Sequence, residues 1–297
     1  MSSPDDHHSF PTLAITLTII SGITLAGMDA TAKYLSLEVA FIMVIWGRYF
    51  FHTVITFSIY SVNTRSFSFL HSKRPAFQFL RALALFGATF FMYLAIMRMP
   101  LGDAAAIQFL APVLVTAFSG LILGEQVGPR RWMAVVCGFI GVLLVARPGS
   151  GVLGWNALLP LATAILLAIY MMMTRIIRNV DSPAATTFYS TALGALILTM
   201  VVVFNWQPLT PSQWFLTVTM GAAGALGHFL LVRAFHTAEA SMLAPFTYAQ
   251  VVAAIVWGYL IFGDIPSIWT LSGASVVICS GVYVWYRETR VIRKQAS

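Results

Sequence analysis

Charge is what this sequence has least of. Of 297 residues, 59% are hydrophobic and only 9% are charged, against roughly 25% charged in soluble domains. That balance excludes an ordinary water-soluble domain, which could not cover so much apolar surface. Cysteine is nearly absent as well. Cys137 and Cys279 both lie inside apolar runs, so no structural disulfide is expected, and no spacing suits a metal. There is no glycine-rich phosphate loop or nucleotide motif, so ATP cannot act within this chain and no cofactor is called for. The net charge of +7 is not a nucleic-acid footprint, because the basic residues sit in short connections between apolar runs.

What is present is a series of apolar runs near the roughly 20 residues that cross a hydrocarbon core. Ten are expected, at 11–33, 38–60, 75–97, 101–123, 131–147, 153–176, 183–204, 212–235, 239–262 and 267–286. Short connections hold the punctuation, as in Lys73-Arg74-Pro75, Gly128-Pro129-Arg130-Arg131 and Asp181-Ser182-Pro183. The fold expected is therefore all-α and integral to the membrane. Alternating polar and apolar residues, the mark of a membrane barrel, are missing. The first ten residues lack the basic start of a cleaved signal, so the first run reads as a retained helix.

Basic residues set the expected orientation. With the N-terminus inside, the inner connections collect about twelve lysines and arginines, including Arg74, Arg130, Arg131, Arg178 and Arg290. The outer ones hold Lys33, Arg98 and Arg147. Both termini therefore go to the cytoplasm, in a bacterial inner membrane.

The chain also repeats. Ala95–Glu125 lies over Ala234–Asp264 without a gap, so that Leu121-Ile122-Leu123-Gly124-Glu125 matches Leu260-Ile261-Phe262-Gly263-Asp264. Upstream, Ile23–Lys33 lies over Ile165–Arg175. Two copies of five helices, an odd number, must sit upside down relative to each other, the inverted repeat of alternating-access carriers. The expected divisions are a tail at 1–10, a first repeat at 11–148, a second at 149–286 and a basic tail at 287–297.

Several motifs then take on a shared look: Leu101-Gly102-Asp103-Ala104-Ala105-Ala106-Ile107, Phe109-Leu110-Ala111-Pro112, Leu123-Gly124-Glu125, Pro129-Arg130-Arg131-Trp132 and Ala244-Pro245-Phe246-Thr247-Tyr248. Together they resemble the drug/metabolite transporter superfamily, specifically its EamA-type members with two five-helix repeats. Asp264 stands where that family usually has glutamate. The resemblance implies a ten-helix carrier with a central cavity between its halves, moving small metabolites, often amino acids or their relatives.

Polar residues inside the spans are the site candidates, since a charge at mid-bilayer costs on the order of 3 kcal/mol. Arg48 lies about 15 Å into the second run, with Asp29 about 9 Å shallower on the first. They form a structural ion pair, or Arg48 faces an anionic group of the substrate. Arg81 is explained by snorkelling to headgroups, or by a cavity position as a second carboxylate anchor. His52 and His228 are satisfied core histidines or proton carriers, and Asp29 is the better coupling candidate. Pro112 and Pro245 each leave a carbonyl unpaired, at Gln108 and Ser241, and are hinge candidates. Gln108, Tyr248 and Gln250 surround those breaks, and Tyr93 and Tyr170 are aromatic candidates for the cavity wall. Glu125 and Asp264, at helix ends, read as structural contacts.

The function expected is secondary transport of a small amphiphilic metabolite bearing a carboxylate, an amino acid or derivative, with export as the leading direction. Uptake or exchange of an S-adenosylmethionine-like compound, and export of a metallophore, are the alternatives. Protons are a possible coupling ion, and no nucleic acid is involved. One chain suffices for transport, though a dimer is compatible. An intramembrane enzyme is the non-transport alternative, but it lacks a catalytic cluster.

Overall fold

The computed structural model describes residues 10–64, 70–123, 129–147, 154–177, 180–237 and 240–296, and among these every regular element is helical. In chain order they are α1 (Phe10–Leu35), α2 (Phe41–Thr64), α3 (Pro75–Ile96), α4 (Leu101–Gln108), α5 (Ala111–Leu123), α6 (Pro129–Ala146), α7 (Leu158–Ile177), α8 (Pro183–Val202), α9 (Pro211–Thr237), α10 (Ala240–Thr247), α11 (Ala249–Phe262) and α12 (Ile268–Ala296). Seven of the described helices are long and apolar enough to cross a membrane. Shorter apolar helices cover Leu101–Val115, Trp132–Ala146 and Ile268–Tyr283.

Two of the expected runs are not single helices. Run 101–123 is divided at Phe109-Leu110, and run 239–262 at Tyr248. Pro112 supplies the reason for the first break. It has no N–H to give to the Gln108 carbonyl, and a proline is tolerated in the first turn of a new helix, where α5 holds it. Pro245 lies inside α10, and a new helix starts four residues later at Ala249. α12 continues as helix through the expected basic tail to Ala296.

Elsewhere, local chemistry sets the ends. Ser182 caps α8, its Oγ accepting from the Ala185 N–H at 3.1 Å, with Pro183 in the first turn. Gly263 closes α11 at φ +69, a left-handed conformation that glycine adopts without a Cβ clash.

The helices of the first half of the chain pack mainly on those of the second. α1 runs along α9 and α3 along α7; α2 lies against α8, and α6 against α12. Lipid supplies no hydrophobic drive for such contacts, so close backbone approach matters. A Cβ on Gly141 would sit 2.9 Å from the Gly273 carbonyl oxygen, and one on Gly273 would meet the Gly141 carbonyl in return. Between α2 and α9, a Cβ on Gly221 would lie 3.1 Å from the His52 nitrogen.

Candidate functional site

A cavity of about 180 Å³ lies in the middle of this bundle. Its polar lining is Asp29 from α1, Arg48 from α2, Thr89 and Tyr93 from α3, Gln108 at the end of α4, Thr163 from α7, His228 from α9 and Gln250 from α11. The α4/α5 and α10/α11 breaks bring the two glutamines there, since each stands within two residues of an interruption. Leu25, Met28, Met92 and Leu167 supply apolar wall.

The hydrogen bonds inside this cavity are incomplete. Arg48 donates from Nη1 to Thr89 Oγ1 at 2.5 Å, and Thr89 donates on to the Leu85 carbonyl at 3.0 Å. The Arg48 guanidinium lies 5.2 Å from the Tyr49 ring centre and 5.5 Å from that of Tyr93, within cation–π reach. Arg48 Nε and Gln108 Oε1 are both buried without a partner. The expected Asp29–Arg48 ion pair is not formed: the two do not meet within 4.0 Å. Each charge has left water for a low-dielectric wall without contact repayment from the other. A ligand that brought a positive group to Asp29 and a negative group to Arg48 would complete both.

Six sequence candidates therefore share one cavity: Asp29, Arg48, Tyr93, Gln108, His228 and Gln250. Others lie elsewhere. Arg81 does not snorkel. It is 0% exposed and donates to Gln78 Oε1 at 2.9 Å, Thr174 Oγ1 at 3.2 Å, Ser190 Oγ at 2.9 Å and the Thr186 carbonyl. The interior supplies acceptors that make headgroups unnecessary. Tyr170 lies under that guanidinium at 4.9 Å and lines a neighbouring cavity. His52 stands 5.3 Å, ring to ring, from His228. Tyr248 turns toward α12, its hydroxyl lying where a Cβ on Gly281 would be, and its ring rests 5.5 Å from Phe109. Glu125 lies outside the described residues.

The two ends of the bundle differ. At one, Lys33 Nζ pairs with Asp264 Oδ2 at 2.9 Å, donates to the Met99 carbonyl at 3.2 Å and lies over the Phe262 ring. This ties α1 to the α11–α12 and α3–α4 connections. Beyond it, a cavity lined by Arg98, Asp103, Arg147 and Thr270 shares no residue with the central one. At the other end, Asp181 accepts from Ser72 Oγ at 2.5 Å, the Lys73 N–H at 2.8 Å and Gln78 Nε2 at 2.8 Å. Burial pushes the Asp181 carboxyl up, but these hydrogen bonds from Ser72, Gln78 and Lys73 outweigh it and hold it below the ordinary carboxylate range. Toward this end the central cavity adjoins one of about 250 Å³, with Leu85 and His228 common to both.

Sequence reading missed Thr89, Gln78, Asp181 and the partnership of Lys33. Lys33 and Asp264 are 231 positions apart, and each alone reads as an ordinary helix-end charge. Thr89 offered no signal, being one hydroxyl in an apolar helix.

Fold and cavity together define a polytopic helical membrane protein with a polar pocket enclosed between its two halves. The chain belongs to the EamA-like transporter family, whose model matches residues 12–147 and again 154–286. It is similar to a riboflavin transporter of Vibrio cholerae, 28% identical over 72% of each chain. It is also similar to an S-adenosylmethionine uptake transporter of Rickettsia conorii, 27% identical over 93% of this chain and 94% of the relative. A solved crystal structure, described only as that of a protein, superposes with a TM-score of 0.64 at 18% identity, covering 93% of this chain and 98% of the other.

Proposed function

We propose that this protein is an alternating-access carrier for a small zwitterionic metabolite, an amino acid derivative, bound in the central cavity. The observation that carries the reading is the placement of two groups of opposite charge, a buried Asp29 and a half-buried Arg48, on one cavity without contact between them. An ammonium facing Asp29 and a carboxylate facing Arg48 match that arrangement. Ten spans in two inverted halves, with both termini in the cytoplasm, form the frame. The exchange of partners between halves, α1 with α9 and α3 with α7, supports it, as does the double family match. The site's geometry favours neither direction, and a carrier follows its gradients. The relatives named for S-adenosylmethionine are uptake proteins, so uptake or exchange replaces export as the working direction.

The test is transport into proteoliposomes of labelled amino acids and S-adenosylmethionine, with and without a pH gradient. Saturable uptake accelerated by unlabelled substrate inside the vesicles is expected of a carrier. Uptake without such counterflow points to a channel, and transport restricted to neutral solutes removes the zwitterion reading. A response to the pH gradient would bring Asp29, His52 and His228 in as proton-coupling groups.

In this reading Lys33–Asp264 latches the outer end while the cavity adjoins the cytoplasmic side. Breaking it with Asp264→Lys should shift the population toward the opposite state. Labelling of a cysteine placed at Ile255, which lines the outer cavity, by an impermeant thiol reagent from outside should rise several-fold, since a lost, partly exposed ion pair is worth up to about 1 kcal/mol. The double exchange Lys33→Asp with Asp264→Lys should restore slow labelling. Equal labelling of all three proteins would leave the ion pair without a gating role.

A further inference from the structure

The central cavity, at about 180 Å³, is smaller than the roughly 300 Å³ at which small-molecule pockets begin. Leu85 and His228 line both it and the adjoining cavity of about 250 Å³, and together the two reach the usual range for a ligand. Their walls differ. Charge and amide groups line the centre, whereas the second cavity presents the hydroxyl side chains of Tyr170, Thr174, Thr186, Thr187, Ser190 and Thr191.

That hydroxyl wall is built rather than incidental. Ser190 and Thr191 are buried. Ser190 donates to the Thr186 carbonyl at 2.7 Å and Thr174 to the Tyr170 carbonyl at 2.7 Å. Their single protons are thus directed to the backbone. Arg81, behind the wall, fixes Ser190, Thr174 and the Thr186 carbonyl in one fork, and the Tyr170 hydroxyl donates to Ser190 Oγ at 3.1 Å, since the Ser190 proton is already given to the Thr186 carbonyl. Ser190 Oγ spends both lone pairs on Arg81 and Tyr170, but Thr174, with one lone pair taken by Arg81, and Tyr170, whose proton goes to Ser190, each keep an accepting position, so these hydroxyls ask a ligand for donors. Asp181 also lines the cavity, and Gln78 joins it to Arg81 by donating to the carboxylate and accepting from the guanidinium. The nearby positive charge is therefore balanced, and the wall does not call for an anion.

Resting on the carrier reading above, we infer that the substrate is a two-part molecule whose zwitterionic head lies between Asp29 and Arg48 and whose neutral, hydroxyl-bearing tail passes His228 into the second cavity. Free amino acids occupy the head position alone and bind weakly. The class is an amino acid carrying a sugar-like or similarly hydroxylated extension.

The experiment is titration calorimetry on the full-length protein in nanodiscs, with methionine as head, adenosine as tail and S-adenosylhomocysteine as both. S-adenosylhomocysteine should bind at least about tenfold more tightly than either part, since linked groups share one association cost. Thr187→Val and Thr191→Val, which keep side-chain volume, should each weaken S-adenosylhomocysteine about fivefold, as for one lost hydrogen bond, and leave methionine within about twofold. Adenosine 5′-monophosphate should bind no better than adenosine, because Asp181 faces it. S-adenosylhomocysteine binding no tighter than methionine, or valine variants that weaken both equally, would overturn the two-part assignment while the head site stood. Tighter binding of the monophosphate would overturn the neutral tail. Failure of all three to bind removes the head assignment, and the proposal with it. Loss of counterflow for every solute, by contrast, defeats the carrier reading itself.

Discussion

Arg48→Met should weaken substrate binding about a hundredfold and cut uptake accordingly in a protein that still folds. The side chain makes one hydrogen bond to the protein, to Thr89, and its Nε has no partner. Thr89 keeps its own bond to the Leu85 carbonyl and accepts from Tyr49 at 3.0 Å. Methionine therefore leaves little unsatisfied and removes a charge that was costly to bury. The thermal midpoint should stay within a few degrees of the native value or rise. Binding is another matter, since in the proposed carrier Arg48 faces the substrate carboxylate. Losing one partner of a buried charge pair costs about 3 kcal/mol, roughly a hundredfold in affinity. Calorimetry and proteoliposome uptake read this directly. A folded Arg48→Met protein with native affinity would make Arg48 a structural residue and end the zwitterion reading.

Arg81→Met should do the reverse and damage the fold first. Arg81 is completely buried and donates to four groups on α3, α7 and α8. Removing it strands Gln78 Oε1 and takes a donor from the Thr186 carbonyl, and each unsatisfied buried group costs about 1–3 kcal/mol. A total near 3 kcal/mol corresponds to a drop of roughly 10 °C in thermal midpoint for a chain of this size class. Arg81→Lys should recover only part of it, because an ammonium cannot hold these partners in one planar fork. Midpoints measured by size exclusion after heating decide the matter. An unchanged midpoint in Arg81→Met would show that the four hydrogen bonds contribute nothing net, and that the hydroxyl wall does not depend on them.

The two arginines are nearly indistinguishable in the sequence. Each interrupts an apolar helix, and depth alone suggested a structural or cavity role for Arg48 and a headgroup or cavity role for Arg81. Their surroundings separate them. Arg81 meets acceptors from two other helices, Thr174 on α7 and the Thr186 carbonyl and Ser190 on α8, so its desolvation is repaid inside the protein. Arg48 meets one hydroxyl, the faces of two tyrosine rings and an open cavity. Similar logic divides the residues around the breaks. Gln108 was legible because Pro112 forces an interruption beside it. Tyr248, placed at the matching break, turns to the gap left by Gly281, a contact that no local pattern announces.

By itself the sequence determined that the chain is an apolar helical bundle, where most helices begin and end, which family it belongs to and which polar residues needed explaining. These follow from local quantities: run length against bilayer thickness, proline and glycine at turns, and the cost of a lone charge in hydrocarbon. Only the tertiary structure decided that Asp29 and Arg48 share a cavity without pairing, that Lys33 meets Asp264, and that Arg81 is buried among four acceptors. Each of those depends on contacts between residues tens to hundreds of positions apart. Hydrogen-bond reach is about 3 Å, and the helix rotation that brings two side chains within it is set by packing rather than by the helix's own sequence.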